Sequence, residues 1–166
     1  MLKGLQCLAL VTSLAFASPC AHAADKVSVT INKQTISAYR TADLEAAKKE
    51  AAAAKKPIAW IASSPKLLDG KGTISGINSR SATLHAFYAL RGSCILIFMD
   101  AYEENHKVLQ LVDDALHTPN PHYTPPSVVF LDPGATKVLA TVIYEQDFNK
   151  RAVELAKALE QTKGKP

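Results

Sequence analysis

The chain has 166 residues, 48% of them hydrophobic and 20% charged, with a formal net charge of +4. That composition excludes a wholly disordered chain and a fibrous repeat, and the length fits one domain with or without a removable leader. Three cysteines are too few for a disulfide scaffold, and the mild basic excess argues only weakly for an anionic partner.

The N-terminal segment 1–23 reads as a secretion signal. Lys3 supplies the positive start, an apolar stretch follows over 5–17, and Ala21-His22-Ala23 is a small-x-small cleavage site. The apolar stretch is short for a membrane span, and no later run is longer, so no span is expected in the mature chain. The expected organisation is a cleavable signal peptide, 1–23, and a single domain, 24–166. Cleavage near Ala23 would deliver the product to the periplasm or outside the cell. Cys7 and Cys20 leave with the leader. Cys94 then stands alone and cannot close an internal disulfide.

Val27, Val29 and Ile31 alternate with polar residues and predict a short half-exposed strand. Thr41 offers a helix N-cap, Asp43 and Glu45 suit a first turn, and the Ala-rich stretch 42–56 predicts a helix that Pro57 stops. Ile58-Ala59-Trp60-Ile61-Ala62 is a continuous apolar run, as a buried central strand requires. Ser63-Ser64-Pro65 and the Gly-rich stretch 69–76 read as a loop. Leu84, Phe87 and Tyr88 recur at helical spacing before Gly92, and 95–99 is a second apolar strand.

Val108, Leu111, Val112, Ala115 and Leu116 form an amphipathic helical pattern. Pro119, Pro121, Pro125 and Pro126 impose an extended connection. Val128-Val129-Phe130-Leu131 is a third buried strand. Asp132-Pro133-Gly134 is a turn, and 137–143 is predicted to hairpin back antiparallel. Phe148, Ala152, Leu155, Ala156 and Leu159 mark a last amphipathic helix, followed by a fraying tail. The predicted order is β-α-β-α-β-α-β-β-α. It implies an α/β fold with a central, largely parallel, mixed sheet and helices on both faces.

This order resembles the thioredoxin-like fold over nearly all of the mature chain. Lys55-Lys56-Pro57-Ile58-Ala59-Trp60 is similar to the helix-to-strand entry before a thioredoxin active site. Thr124-Pro125-Pro126-Ser127-Val128-Val129-Phe130-Leu131 is similar to that family's cis-proline strand. The resemblance implies that Pro126 is cis and that Asp132-Pro133-Gly134 opens the following hairpin. The departure is chemical. Where the family carries Cys-x-x-Cys, this chain reads Ala62-Ser63-Ser64-Pro65-Lys66-Leu67. Thiol–disulfide exchange needs an attacking and a resolving thiol, and serine replaces neither. The stretch 68–79 is also longer than the family has there, and the sequence leaves open whether it covers the groove or leaves it free.

The resemblance therefore implies a fold without its usual activity, and argues for a binding protein rather than an enzyme. The expected surface comprises Ser63, Ser64, Pro65 and Lys66 together with Tyr123, Thr124, Pro125, Pro126 and Ser127. In such folds these two loops lie side by side and hold an extended peptide by backbone pairing. The expected partner is a protein or peptide, in an accessory or chaperone-like role, and no cofactor is expected. Two other readings stand beside it. A metal- or small-ligand-binding module would draw on His106, His117 and His122, although no tight ligand spacing occurs. A thiol enzyme would use Cys94 as a relocated nucleophile, with Arg91 near in sequence. The basic run Lys48, Lys49, Lys55 and Lys56 lacks the Arg and aromatic interleaving of a nucleic-acid site and reads as a solvated helix face.

Overall fold

The computed structural model of the chain describes residues 26–31, 33–63, 82–100, 109–118, 126–143, 145 and 147–163. Among them an edge hairpin, β1 (Lys26–Ile31) and β2 (Gln34–Arg40), leads through a 3₁₀ turn (Thr41–Asp43) into α1 (Leu44–Ala54). Then follow β3 (Ile58–Ser63), α2 (Ala82–Leu90), β4 (Ile95–Asp100) and α3 (Gln110–His117). A second hairpin, β5 (Ser127–Leu131) and β6 (Val138–Val142), precedes α4 (Phe148–Thr162). The fold is α/β, with one mixed six-stranded sheet in the order β1-β2-β4-β3-β5-β6. β2 and β3 run parallel to β4, whereas β1, β5 and β6 join antiparallel to β2, β3 and β5.

The central strands are apolar without alternation because both of their faces are covered. All six residues of β3 are buried. On one face, Trp60 and Ile58 of β3 and Ile97 and Met99 of β4 pack with Ala47 and Ala51 of α1 and Val112 and Leu116 of α3. On the other, Ala59 and Ile61 of β3 and Phe98 of β4 meet Leu84, Phe87 and Leu90 of α2 and Leu155 and Ala158 of α4. The indole N–H of Trp60 donates to the Met99 thioether at 3.4 Å. Among the described residues no helix is long and apolar enough to cross a membrane.

Two strands, not one, precede the first helix, so the predicted order is short by β2. The connection from Ile31 to Gln34, which pair directly, is a tight two-residue turn in which Lys33 has φ 64°. Gly ordinarily takes that second position after an Asn, and here the pair reads Asn32-Lys33. The first helix is also shorter than predicted. Thr41 opens the 3₁₀ turn, and Asp43, at the N-cap position, makes no side-chain capping bond. Lys55 turns left-handed (φ 52°), its N–H donates to the Ala52 carbonyl at 3.3 Å, and the Lys56 N–H donates to Ala51 at 3.0 Å. This wrap closes the helix before Pro57 and sets Lys55 and Lys56 beyond it.

The predicted turn at Asp132-Pro133-Gly134 is held by one carboxylate. Asp132 accepts from the backbone N–H groups of Gly134, Thr136 and Lys137 at 3.2, 2.7 and 2.6 Å and from the Thr136 hydroxyl at 3.0 Å. Two side chains assigned to apolar helix faces are half exposed, Tyr88 at 40% and Phe148 at 50%.

Candidate functional site

The residues brought together lie where β3 ends and β5 begins. Ser63 is the last residue of β3 rather than a loop residue, and it is fully buried. Its register partner in β4 is Asp100. On the other side Ala62 pairs with Ser127, the first residue of β5, so half-buried Pro126 enters the sheet beside Ser63. Ser127 is fully buried as well. Ser64, Pro65, Lys66, Tyr123, Thr124 and Pro125 lie outside the described residues. So do the 68–79 stretch and the peptide bond joining Pro125 to Pro126.

Ser63 is satisfied from the helix above it. Its hydroxyl shares a 2.8 Å hydrogen bond with the hydroxyl of Thr83, in the first turn of α2, and both residues are buried. Two hydroxyls that satisfy each other tie the end of a strand to the start of a helix. The partnership is a structural lock between strand end and helix start. Thr83 escaped the sequence reading because a threonine at a helix start carries no signal about a strand twenty residues earlier. Removing one hydroxyl strands the other. Ser63→Ala is expected to cost about 1–3 kcal/mol, whereas Ser63→Ala combined with Thr83→Val should cost less than the two single changes summed. Urea unfolding of the four proteins in the cycle measures it.

Cys94 sits at the opposite end of the sheet, just before β4, and is 3% exposed. Burial pushes its thiol up to about 12, against a smaller opposing pull from the Lys56 ammonium. At neutral pH the group is a thiol and not the thiolate that attacks or ligates. A thiol reagent should modify Cys94 slowly in the native protein and fast in denaturant, as followed by mass. Fast native modification would overturn this placement.

Of the histidines singled out, His106 and His122 lie outside the described residues. His117, exposed at the end of α3, has its Nδ1 2.9 Å from the Asp113 carbonyl oxygen and 3.3 Å from the Asp113 carboxylate. Among the described residues no group of three or more His, Cys, Asp or Glu side chains is arranged to hold a metal ion. Comparison of the chain with protein-family models and with curated proteins finds no match.

Proposed function

We propose that the chain is an exported domain of the thioredoxin-like fold that lacks thiol–disulfide exchange and binds an extended protein or peptide segment at the β3–β5 end of its sheet. The observation that carries this reading is the register of Ala62 with Ser127. It sets Pro126 beside the strand end at which a redox member of the fold would carry its cysteines. The strand order supports the same reading. A parallel trio, β2-β4-β3, continues into an antiparallel pair, β5-β6, with helices on both faces.

The end of β3 reads Ala62-Ser63, and the next residues in sequence are Ser64-Pro65. Neither thiol of the motif is present, and Cys94 lies at the far end of the sheet, buried and protonated. Binding would then rest on main-chain pairing along the segment that enters β5, which needs no cysteine. The signal-like segment 1–23 supports action in the periplasm or outside the cell.

A photocrosslinking residue in place of Pro126 tests the proposal in cells. Polypeptide adducts are expected there and not from the same residue in place of Val153, which is exposed on α4. Equal yields from both positions, or none from either, would sink it. The purified protein is also expected to leave the rate of insulin disulfide reduction by dithiothreitol unchanged.

A further inference from the structure

β2 and β4 pair only at Tyr39↔Ile97 and Arg40↔Phe98. Before those residues the strands part, and a cleft of about 130 Å³ opens at the N-terminal end of β4. Its lining includes Lys26, Ser37, Tyr39, Glu50, Lys56 and Arg91. It lies at the other end of the sheet from Ser63, roughly 17 Å away by the rise from Ile95 to Asp100 along β4.

The charges in this cleft do not balance. Glu50 is already committed. It accepts from the Tyr39 hydroxyl and from Lys26 Nζ at 2.9 Å, and Lys26 lies 4.1 Å over the Tyr39 ring. Those two donors, Tyr39 foremost, hold the Glu50 carboxyl below its ordinary range and keep it ionised. Among the described residues no carboxylate forms an ion pair with Lys56 or Arg91. Arg91 donates to the Tyr88 carbonyl and stacks 3.7 Å over the Tyr88 ring, contacts that fix its guanidinium without a carboxylate partner among the described residues. Three cations thus face one carboxylate around a concave space. That space is several times the roughly 30 Å³ share of one liquid water, which leaves room for a tetrahedral oxyanion.

We infer that this cleft is a binding site for a doubly charged oxyanion of the phosphate class, held between Lys56 and Arg91. A guanidinium offers two parallel N–H donors to such a group, and an ammonium adds a compact charge. Two cations that form no ion pair among the described residues favour a dianion, because a monocarboxylate would neutralise only one of them. The ligand is either free phosphate or a phosphate monoester, and the two share this chemistry.

The test is titration of the isotopically labelled protein at fixed ionic strength, read from the amide signals of Ser37, Arg91 and Leu96. Inorganic phosphate and glycerol phosphate are titrated in separate arms, with acetate and chloride as controls. Saturable shifts with either phosphate, and weaker ones with acetate, are expected. Tighter binding of the monoester would identify an esterified ligand, and equal or weaker binding would identify the free ion. Lys56→Gln combined with Arg91→Gln should weaken phosphate by about tenfold or more while the urea transition without phosphate stays cooperative. Glu50→Gln should tighten it, a gain that a purely structural role for these residues would not produce. Shifts that fail to saturate, that match those with chloride or acetate, or that survive in the double variant would overturn the inference.

Discussion

Phe87→Ala is expected to remove about 3–5 kcal/mol of stability, the range for emptying a fully packed aromatic site. Phe87 is completely buried, and its ring lies 6.1 Å, centroid to centroid, from that of Phe98 on β4. It belongs to the cluster that joins α2 and α4 to one face of the sheet, with Leu84 and Leu90 one turn to either side. A helix of nine residues is too short to hold itself in water, so its order comes from this face. The loss therefore reaches beyond the cavity. α2 carries Thr83, and a loosened α2 releases the hydroxyl that fastens Ser63.

Urea unfolding followed by the fluorescence of Trp60, the only tryptophan, measures the effect. That indole packs against the opposite face of the sheet and is untouched by the substitution. A loss below about 1 kcal/mol would mean that α2 is not anchored through this ring.

The central strands were legible because burial on two faces leaves only one kind of sequence. The runs at 58–62, 95–99 and 128–131 are apolar throughout, and each lies within an observed strand. The carboxylate turn at Asp132 was legible for a related reason. An Asp followed by Pro and Gly offers acceptors to the backbone just where a hairpin leaves N–H groups unpaired. β2 was not legible. Ile36 and Ala38 do alternate with exposed Thr35 and Ser37, but Ala is a small apolar signal, and of the connecting pair Asn32-Lys33 only Asn32 is an ordinary turn residue, with the positive φ at Lys33.

The β3–β5 end was legible as a place and not as a set of contacts. Ser63 and Ser127 stood out only through the resemblance of their flanking strands to a known fold, and nothing local announces that both are buried. The basic cleft was hidden for a stronger reason. Lys26, Tyr39, Glu50 and Arg91 come from four separate stretches of chain; β1–β2 pairing sets Lys26 beside Tyr39, Glu50 of α1 joins both, and Arg91 follows α2. The reading of Lys56 as part of a solvated helix face placed it on an element that ends at Ala54.

Arg151→Ala is expected to cost roughly 2–3 kcal/mol near pH 8, from charge-assisted hydrogen bonds and from packing of the side-chain stem. Arg151 is 6% exposed, an uncommon position for a guanidinium. Its Nη1 donates to the Glu145 carbonyl at 2.7 Å, and its Nε donates to His85 Nδ1 at 3.2 Å. The His85 ring in turn stacks on Phe148 at 4.4 Å. One side chain thus joins α4 to α2 and to Glu145, three residues before α4 begins. The same contact makes stability sensitive to acid. To accept from Arg151, Nδ1 must be unprotonated, so the bond exists only with neutral imidazole.

Burial first, and the Arg151 charge second, lower the His85 pKa from its ordinary 6.5. The unfolded chain then binds the proton more tightly than the folded one. The stabilising contribution is complete above the ordinary value, and it declines as pH falls from there toward the folded value. His85→Gln should flatten the dependence of the urea midpoint on pH in the interval above the carboxylate range, and the difference from the parent isolates this histidine from exposed His117. Arg151→Ala should narrow the interval without abolishing it, because burial remains when the charge is gone. An unchanged slope in His85→Gln, or a midpoint that rises on acidification in the parent, would show that this imidazole is not held neutral between α2 and α4.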